Sequence, residues 1–221
     1  MIDVRDLALD TPDGRPLVAG LDLVVPRGGH LLLTGPSGCG KSRLLRVVAG
    51  TERPTRGRVR VGGRDVWPGG GVLALAGHLR LGFAFASGGL LSNLSLRDNL
   101  ALPLTFLGVP GPEQQRRTEA ALERLDLQAV AALRPHALSA SARKHGNLAR
   151  VLALEPELIL LDDPLEGLDA RDRSTAQDLI QAWSDNPAIT LVIAAEEDQA
   201  FASLEVERLQ LSPAPASVES P

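Results

Sequence analysis

Residues 35–42 read Gly-Pro-Ser-Gly-Cys-Gly-Lys-Ser, and no other stretch restricts the fold of this chain as tightly. The run matches G-x-x-x-x-G-K-[ST]. Gly35, Gly38 and Gly40 let the backbone wrap closely, so that successive N–H groups face the phosphates of a nucleotide. Lys41 would reach the β- and γ-phosphates, and the Ser42 hydroxyl would bind Mg²⁺. The whole loop (Gly35, Pro36, Ser37, Gly38, Cys39, Gly40, Lys41 and Ser42) is therefore expected to hold nucleotide. Such a loop works between a strand and a helix. The apolar run His30–Thr34 reads as a buried strand before it. Leu44–Ala49 reads as the start of a helix after it, whose dipole favours an anion at its N-terminus.

The rest of the chain is organised around that unit. Ile2–Leu9 and Leu17–Val25 read as strands on either side of a turn at Thr11-Pro-Asp-Gly14. Arg58–Val61 is a short strand, and residues 67–71 are expected to form a flexible loop tip. Leu79–Ala86 reads as a buried strand. Residues 87–150 change to helical periodicity, clearest in Glu113–Leu125. Leu158–Leu161 and Ala188–Ala194 read as buried strands, Ala170–Trp183 as a helix, and Glu205–Leu211 as a closing strand. Strands alternating with helices predict an α/β fold with a mostly parallel sheet. The 87–150 stretch interrupts that pattern as an inserted lobe. The Pro- and Ser-rich tail 212–221 is expected to be disordered.

Composition narrows the function classes. Apolar residues make up 44% of the 221, with 3% aromatic and no Tyr, so the core must be Leu, Val and Ala. The net charge of −4, without a basic block, does not suggest a nucleic-acid partner. Cys39 is the single cysteine, which excludes an internal disulfide. The start Met1-Ile-Asp-Val-Arg-Asp lacks the apolar segment of a signal peptide. The most lipid-like stretch, Leu100–Val109, is too short at about ten residues to span a bilayer. A soluble, intracellular protein is expected, reaching a membrane only through a partner.

A second motif follows the strand Leu158-Ile-Leu-Leu-Asp162. An acid at that strand end orients Mg²⁺ beside the loop serine. The next acid, Asp163, is placed to act as general base on the water that attacks the γ-phosphate.

These motifs together resemble the nucleotide-binding subunit of an ATP-binding cassette (ABC) transporter, over about residues 1–211. The resemblance rests on GPSGCGKS at 35–42, AGTERPTRGRVRVGGRDV at 49–66, and LSASARKHGNLARVLALEPELILLDDPLEGLD at 138–169. It implies a P-loop NTPase fold with an N-terminal antiparallel β region and an inserted helical subdomain. The core would comprise 1–86 and 151–211, and the helical subdomain about 87–150. It further implies ATP and Mg²⁺ as cofactors, with Ser42 and Asp162 as metal ligands. The partners implied are a membrane permease subunit and a second cassette, in a homodimer or a heterodimer. The place implied is the cytoplasmic face of the membrane, reached through the permease.

The chain departs from the family pattern at five places. The position of an adenine-stacking aromatic falls near Thr11, so stacking worth about 1–3 kcal/mol is expected to be missing. The family glutamine after the third buried strand is Ala86, which follows Phe85. The signature LSGGQ reads Leu138-Ser139-Ala140-Ser141-Ala142. Ser139 could still bond a γ-phosphate in trans, but the glycines that permit close backbone approach are gone. The usual glutamate base is Asp163, one methylene shorter. The switch histidine position holds Glu196, and no histidine follows His145. Two functions stay open on this reading. One is a transporter ATP-binding subunit with slow hydrolysis. The other is a nucleotide-sensing or structural subunit that binds ATP without cleaving it. A soluble ABC-type protein acting on ribosomes or DNA is disfavoured, since that class usually carries a second cassette or a long insertion. Leu90 and Leu91 are candidates either for contact with the membrane subunit or for the core.

Overall fold

The computed structural model describes residues 1–67 and 70–212. Among the described residues nine strands make two sheets. Strands β1 (Ile2–Asp10), β2 (Pro16–Val25), β4 (Arg56–Val61) and β5 (Arg64–Asp65) form an antiparallel sheet in the order β2-β1-β4-β5. Strands β3 (His30–Thr34), β6 (Leu81–Ala84), β7 (Leu158–Asp162), β8 (Thr190–Ala194) and β9 (Glu207–Gln210) form a parallel sheet in the order β6-β7-β8-β3-β9. The expected α/β architecture, with its antiparallel N-terminal region and mostly parallel sheet, is the one found.

Parallel strands need crossovers, and helices supply them. Helix α1 (Lys41–Val48) follows β3. The short α2 (Val72–Leu75) precedes β6. Helices α3 (Leu96–Phe106), α4 (Gly111–Arg124) and α5 (Ala140–Ala153) all lie between β6 and β7, and α6 (Ala170–Ser184) joins β7 to β8. The parallel sheet is covered on both faces, which is why its strands read as unbroken apolar runs. Leu31 and Leu33 of β3 pack with α1 and the antiparallel sheet, while Leu32 packs on the opposite side with residues of α5 and α6. Leu158 and Leu160 divide from Ile159 and Leu161 in the same way along β7. Because the strands are parallel, the C-terminal ends of β3, β6, β7 and β8 share one edge. The segments that follow them carry the candidate site.

Several expected boundaries move for physical reasons. Helix α1 begins at Lys41, not Leu44, because Gly40 takes φ 104° as its N-cap and turns the loop straight into the helix. Strand β6 covers only Leu81–Ala84. Strand β8 starts at Thr190, since Asn186 Oδ1 accepts from the Ala188 N–H (3.0 Å) and holds those residues in a turn. Helix α3 contains Pro103, which removes an N–H and crowds the preceding turn at about 3 kcal/mol. Full burial of Leu96, Leu100 and Leu104, each contributing about 2 kcal/mol, outweighs it. Trp67, expected in a loop tip, packs against the cluster around β1 and α1; Pro68 and Gly69 of that loop lie outside the described residues. So does the tail expected to be disordered, beyond Ser212.

Candidate nucleotide site

The phosphate loop closes on itself. Cys39 N–H donates to Pro36 O (3.3 Å), and the buried Cys39 side chain joins the apolar cluster around β1, β3 and α1. Gly40 lies so close to β2 that a Cβ there would stand 3.1 Å from Val18 Cγ2. Helix α1 has no side-chain cap and no acid in its first turn, so its N-terminal N–H groups keep their affinity for an anion. Lys41 is 5% exposed. Its Nζ donates to Gly35 O (2.7 Å) and Pro36 O (3.2 Å), carbonyls of the loop itself.

Strand order brings the second motif to this loop. Ser42 Oγ donates to Asp162 Oδ1 at 2.8 Å, across 120 residues of sequence. Asp162 is buried at the last position of β7. A hydroxyl and a buried carboxylate at a helix N-terminus are the hard oxygen donors Mg²⁺ takes, alongside phosphate oxygens. Among the described residues no three His, Cys, Asp or Glu side chains converge as a metal-holding group. A divalent ion held by Ser42 and Asp162 would complete its shell with phosphate oxygens and water.

Asp163 sits next along the turn at φ +43°, a conformation that costs a non-glycine residue on the order of 1 kcal/mol. The Asp163 N–H donates to Ala194 O (2.9 Å), pinning the turn to the end of β8. Burial raises the pKa of this carboxyl, the neighbouring Asp162 raises it further, Lys41 opposes, and Glu166 and Glu196 add smaller upward contributions. Asp163, Glu166 and Glu196 line one cavity of about 180 Å³ with Arg173. Glu196 is exposed, so it faces that cavity from the solvent side.

Other positions singled out in the sequence fall in different places. Ser139 caps α5, its Oγ accepting from Ala142 N–H (3.0 Å), and it is exposed. It shares no hydrogen bond with residues 35–42 among the described residues. Thr11 closes its own turn through Arg15, with its Oγ1 donating to Arg15 O (3.0 Å) and accepting from Arg15 N–H (2.9 Å). Leu90 packs partly buried against the core, whereas Leu91 is 48% exposed, its backbone held by Asn99.

Sequence reasoning picked out Arg150 only as half of an Ala149-Arg150 pair and assigned no role to the α5 residues that hold the end of β6 and the segment after it. From α5, Lys144 Nζ donates to Ala86 O (2.8 Å) and Asn147 Nδ2 to Gly88 O (2.8 Å). Arg150 donates to Phe83 O (3.1 Å) and also bonds Gly89 O. A Cβ on Gly89, whose φ is +83°, would fall on the Asn147 side chain. The 3- and 6-residue spacing of these donors places them on one helical face, a pattern legible in the sequence once an acceptor segment is suspected.

A family profile described as "ABC transporter" matches residues 18–166. Among relatives, the spermidine/putrescine import ATP-binding protein PotA of Frankia alni is 38% identical over 178 residues, 80% of this chain and 37% of that protein. The Fe(3+) ions import ATP-binding protein FbpC of Vibrio cholerae is 33% identical over 187 residues, 84% of this chain and 52% of that protein. The chain thus spans about half the length, or less, of these relatives. Among solved structures, the ATP-binding cassette MJ0796, a dimer bound to ADP and Pi, superposes with a TM-score of 0.85 at 23% identity, covering 96% of this chain and 94% of that one. cbiO1 from Clostridium perfringens gives 0.71 at 26% identity, covering 89% and 78%.

Proposed function

The chain belongs to the ABC transporter family, and from that premise we propose that it is the ATP-binding subunit of an importer, coupling ATP binding and slow hydrolysis to cargo movement by a membrane permease. The observation that carries this reading is the 2.8 Å bond from Ser42 Oγ to Asp162 Oδ1. It joins the two oxygen donors that a nucleotide-bound Mg²⁺ needs at the N-terminus of α1. Lys41 exchanges its loop carbonyls for phosphate oxygens, and the N–H groups of residues 37–42 add to that cradle. Ser42 and Asp162 would hold Mg²⁺, which would supply positive charge to offset that developing on the phosphate oxygens.

Asp163 accepts the proton of the attacking water. Its raised pKa makes it a stronger base, but its shorter reach misplaces the carboxylate, and an error near 1 Å costs on the order of 10²-fold. Ala86 offers no oxygen to orient that water, and the Glu196 carboxylate repels the γ-phosphate. Turnover below about 1 s⁻¹ follows, at the low end for enzymes.

Ser139, exposed at the start of α5, serves the nucleotide of a second cassette in trans. The dimeric state of the structurally similar MJ0796 cassette supports such pairing. No helix among the described residues is long and apolar enough to cross a membrane. On this proposal the permease supplies the membrane path. It also holds the subunit at the cytoplasmic face. Relatives named for polyamine and for Fe(3+) import share this cassette, which supports cargo choice by the partner rather than by this chain.

Single-turnover cleavage of radiolabelled ATP with Mg²⁺, beside filter binding, tests the reading. Cleavage by the parent that is lost in both Lys41→Ala and Asp163→Ala supports a slow ATPase. ATP bound by the parent but released uncleaved would replace it with the binding-only alternative.

A further inference from the structure

We propose that Lys144 is a positioning residue for the reacting end of this site, tying the backbone after β6 to the turn that presents Asp163. Its Nζ donates to Ala86 O and to Asp163 O, both at 2.8 Å. Asn147 and Arg150, on the same face of α5, reach only the 83–89 segment. Lys144 alone also crosses to the turn after β7, so its ammonium links α5, the end of β6 and Asp163 at one point.

The choice of residue supports this. Lys41 and Lys144 are the only lysines in a chain with 23 Lys and Arg residues. Every other basic position is Arg, yet the two positions next to the nucleotide chemistry are Lys. A compact ammonium with three donors at tetrahedral angles can satisfy two converging carbonyls, whereas a planar guanidinium spreads its donors in a fixed fork. The group is half-buried and faces Glu166 and the Asp162–Asp163 pair. Burial lowers its pKa while those three acids raise it. A cavity of about 320 Å³, lined by Ala86, Lys144, Asn147 and Glu166, opens beside it. Hydrogen bonds rather than close packing therefore hold these segments together on that side.

The brace also gives Ala86 a function. The side chain at 86 contributes no polar atom, but its carbonyl is one end of the link. Movement of the 86–89 segment would thus reach Asp163 through the Ala86 carbonyl and the Lys144 ammonium, without a polar side chain at position 86. The rate consequence rests on the proposed ATPase reading; the brace itself does not.

The test is Lys144→Met against the parent. Hydrogen exchange of the nucleotide-free proteins, followed by mass spectrometry, should show peptides over 85–89 and 162–167 both exchanging at least about fivefold faster in the variant, with β3 unchanged. Single-turnover cleavage should fall at least about tenfold while ATP affinity by filter binding stays within about twofold, the split expected of a group that acts through placement. Faster exchange in neither segment, or in one alone, overturns the brace, as does a loss of affinity equal to the loss of rate. A parent that binds but never cleaves ATP would sink the ATPase reading and leave exchange to decide the brace. Should Lys144→Met fail to fold, acetylation of the native parent decides. Lys144 should react at least about tenfold more slowly than in the urea-unfolded chain, and equal rates overturn the proposal.

Discussion

The phosphate-holding end and the reacting end of this site sit on neighbouring strand termini, yet they are built from different materials. The holding end is backbone: a glycine-shaped loop, the uncapped start of α1, and two side chains, Lys41 and Ser42, already bonded in place. The reacting end depends on side-chain length and polarity at Ala86, Asp163 and Glu196. On the resemblance drawn from the sequence, each group there is expected to be shorter, apolar or of the wrong charge compared with the family pattern. Backbone donors survive any substitution that keeps φ and ψ, while a catalytic carboxylate is sensitive to one methylene. A chain built in this way is expected to keep affinity while its rate falls.

The largest test of that contrast is Lys41→Ala. Truncating a buried ion that pairs with phosphate costs about 2–5 kcal/mol, so ATP affinity by filter binding should fall at least about 30-fold. Retention within about threefold would mean that the loop is not the anchor.

Asp163→Glu should sharpen the other half of the comparison. Restoring the methylene is expected to speed single-turnover cleavage by about tenfold or more with no change in affinity. An unchanged rate would move the defect to Ala86 or Glu196. Smaller in effect is the choice of base. With Thr11 turned back on Arg15 and no ring at that position, stacking worth about 1–3 kcal/mol is expected to be missing. ATP and GTP should therefore compete within about threefold, and a marked preference for ATP would reveal a base pocket elsewhere.

The smallest effect lies outside the site altogether. Arg116 and Arg117 hold the Glu113 carboxylate down to about 2. A depressed carboxylate stabilises the fold above its ordinary pKa near 4.5, and that contribution is lost as pH falls towards 2. Glu113→Gln should lower Tm at pH 7 by no more than about 2 °C, because the pair is exposed. The difference from the parent should vanish near pH 2. ATP affinity should not move, which separates this helix from the nucleotide site.

Much of the molecule was legible from local pattern. Strand β3 spans the residues its apolar run indicates, and β7 needs only Asp162 added. Helix α3 lies inside the 87–150 stretch read as helical, but its start was not marked out, although Ser95 Oγ accepts from Asp98 N–H (3.1 Å) and donates to Asp98 Oδ2 (2.6 Å) there. Lys144 carried no motif. Its role depends on carbonyls 58 and 19 residues away, and carbonyls leave no mark in the residue alphabet.

The sequence by itself determined the phosphate loop, the period of the buried strands and the identity of the groups at the reacting end. Those properties follow from φ, ψ and polarity within a few residues. Only the tertiary structure decided that three donors of α5 clasp the segment after β6, and that Asp163 is pinned between Ala194 and Lys144. Those contacts come from the order β6-β7-β8-β3-β9. That order is set by which faces bury best against one another over the whole chain, and no local stretch encodes it.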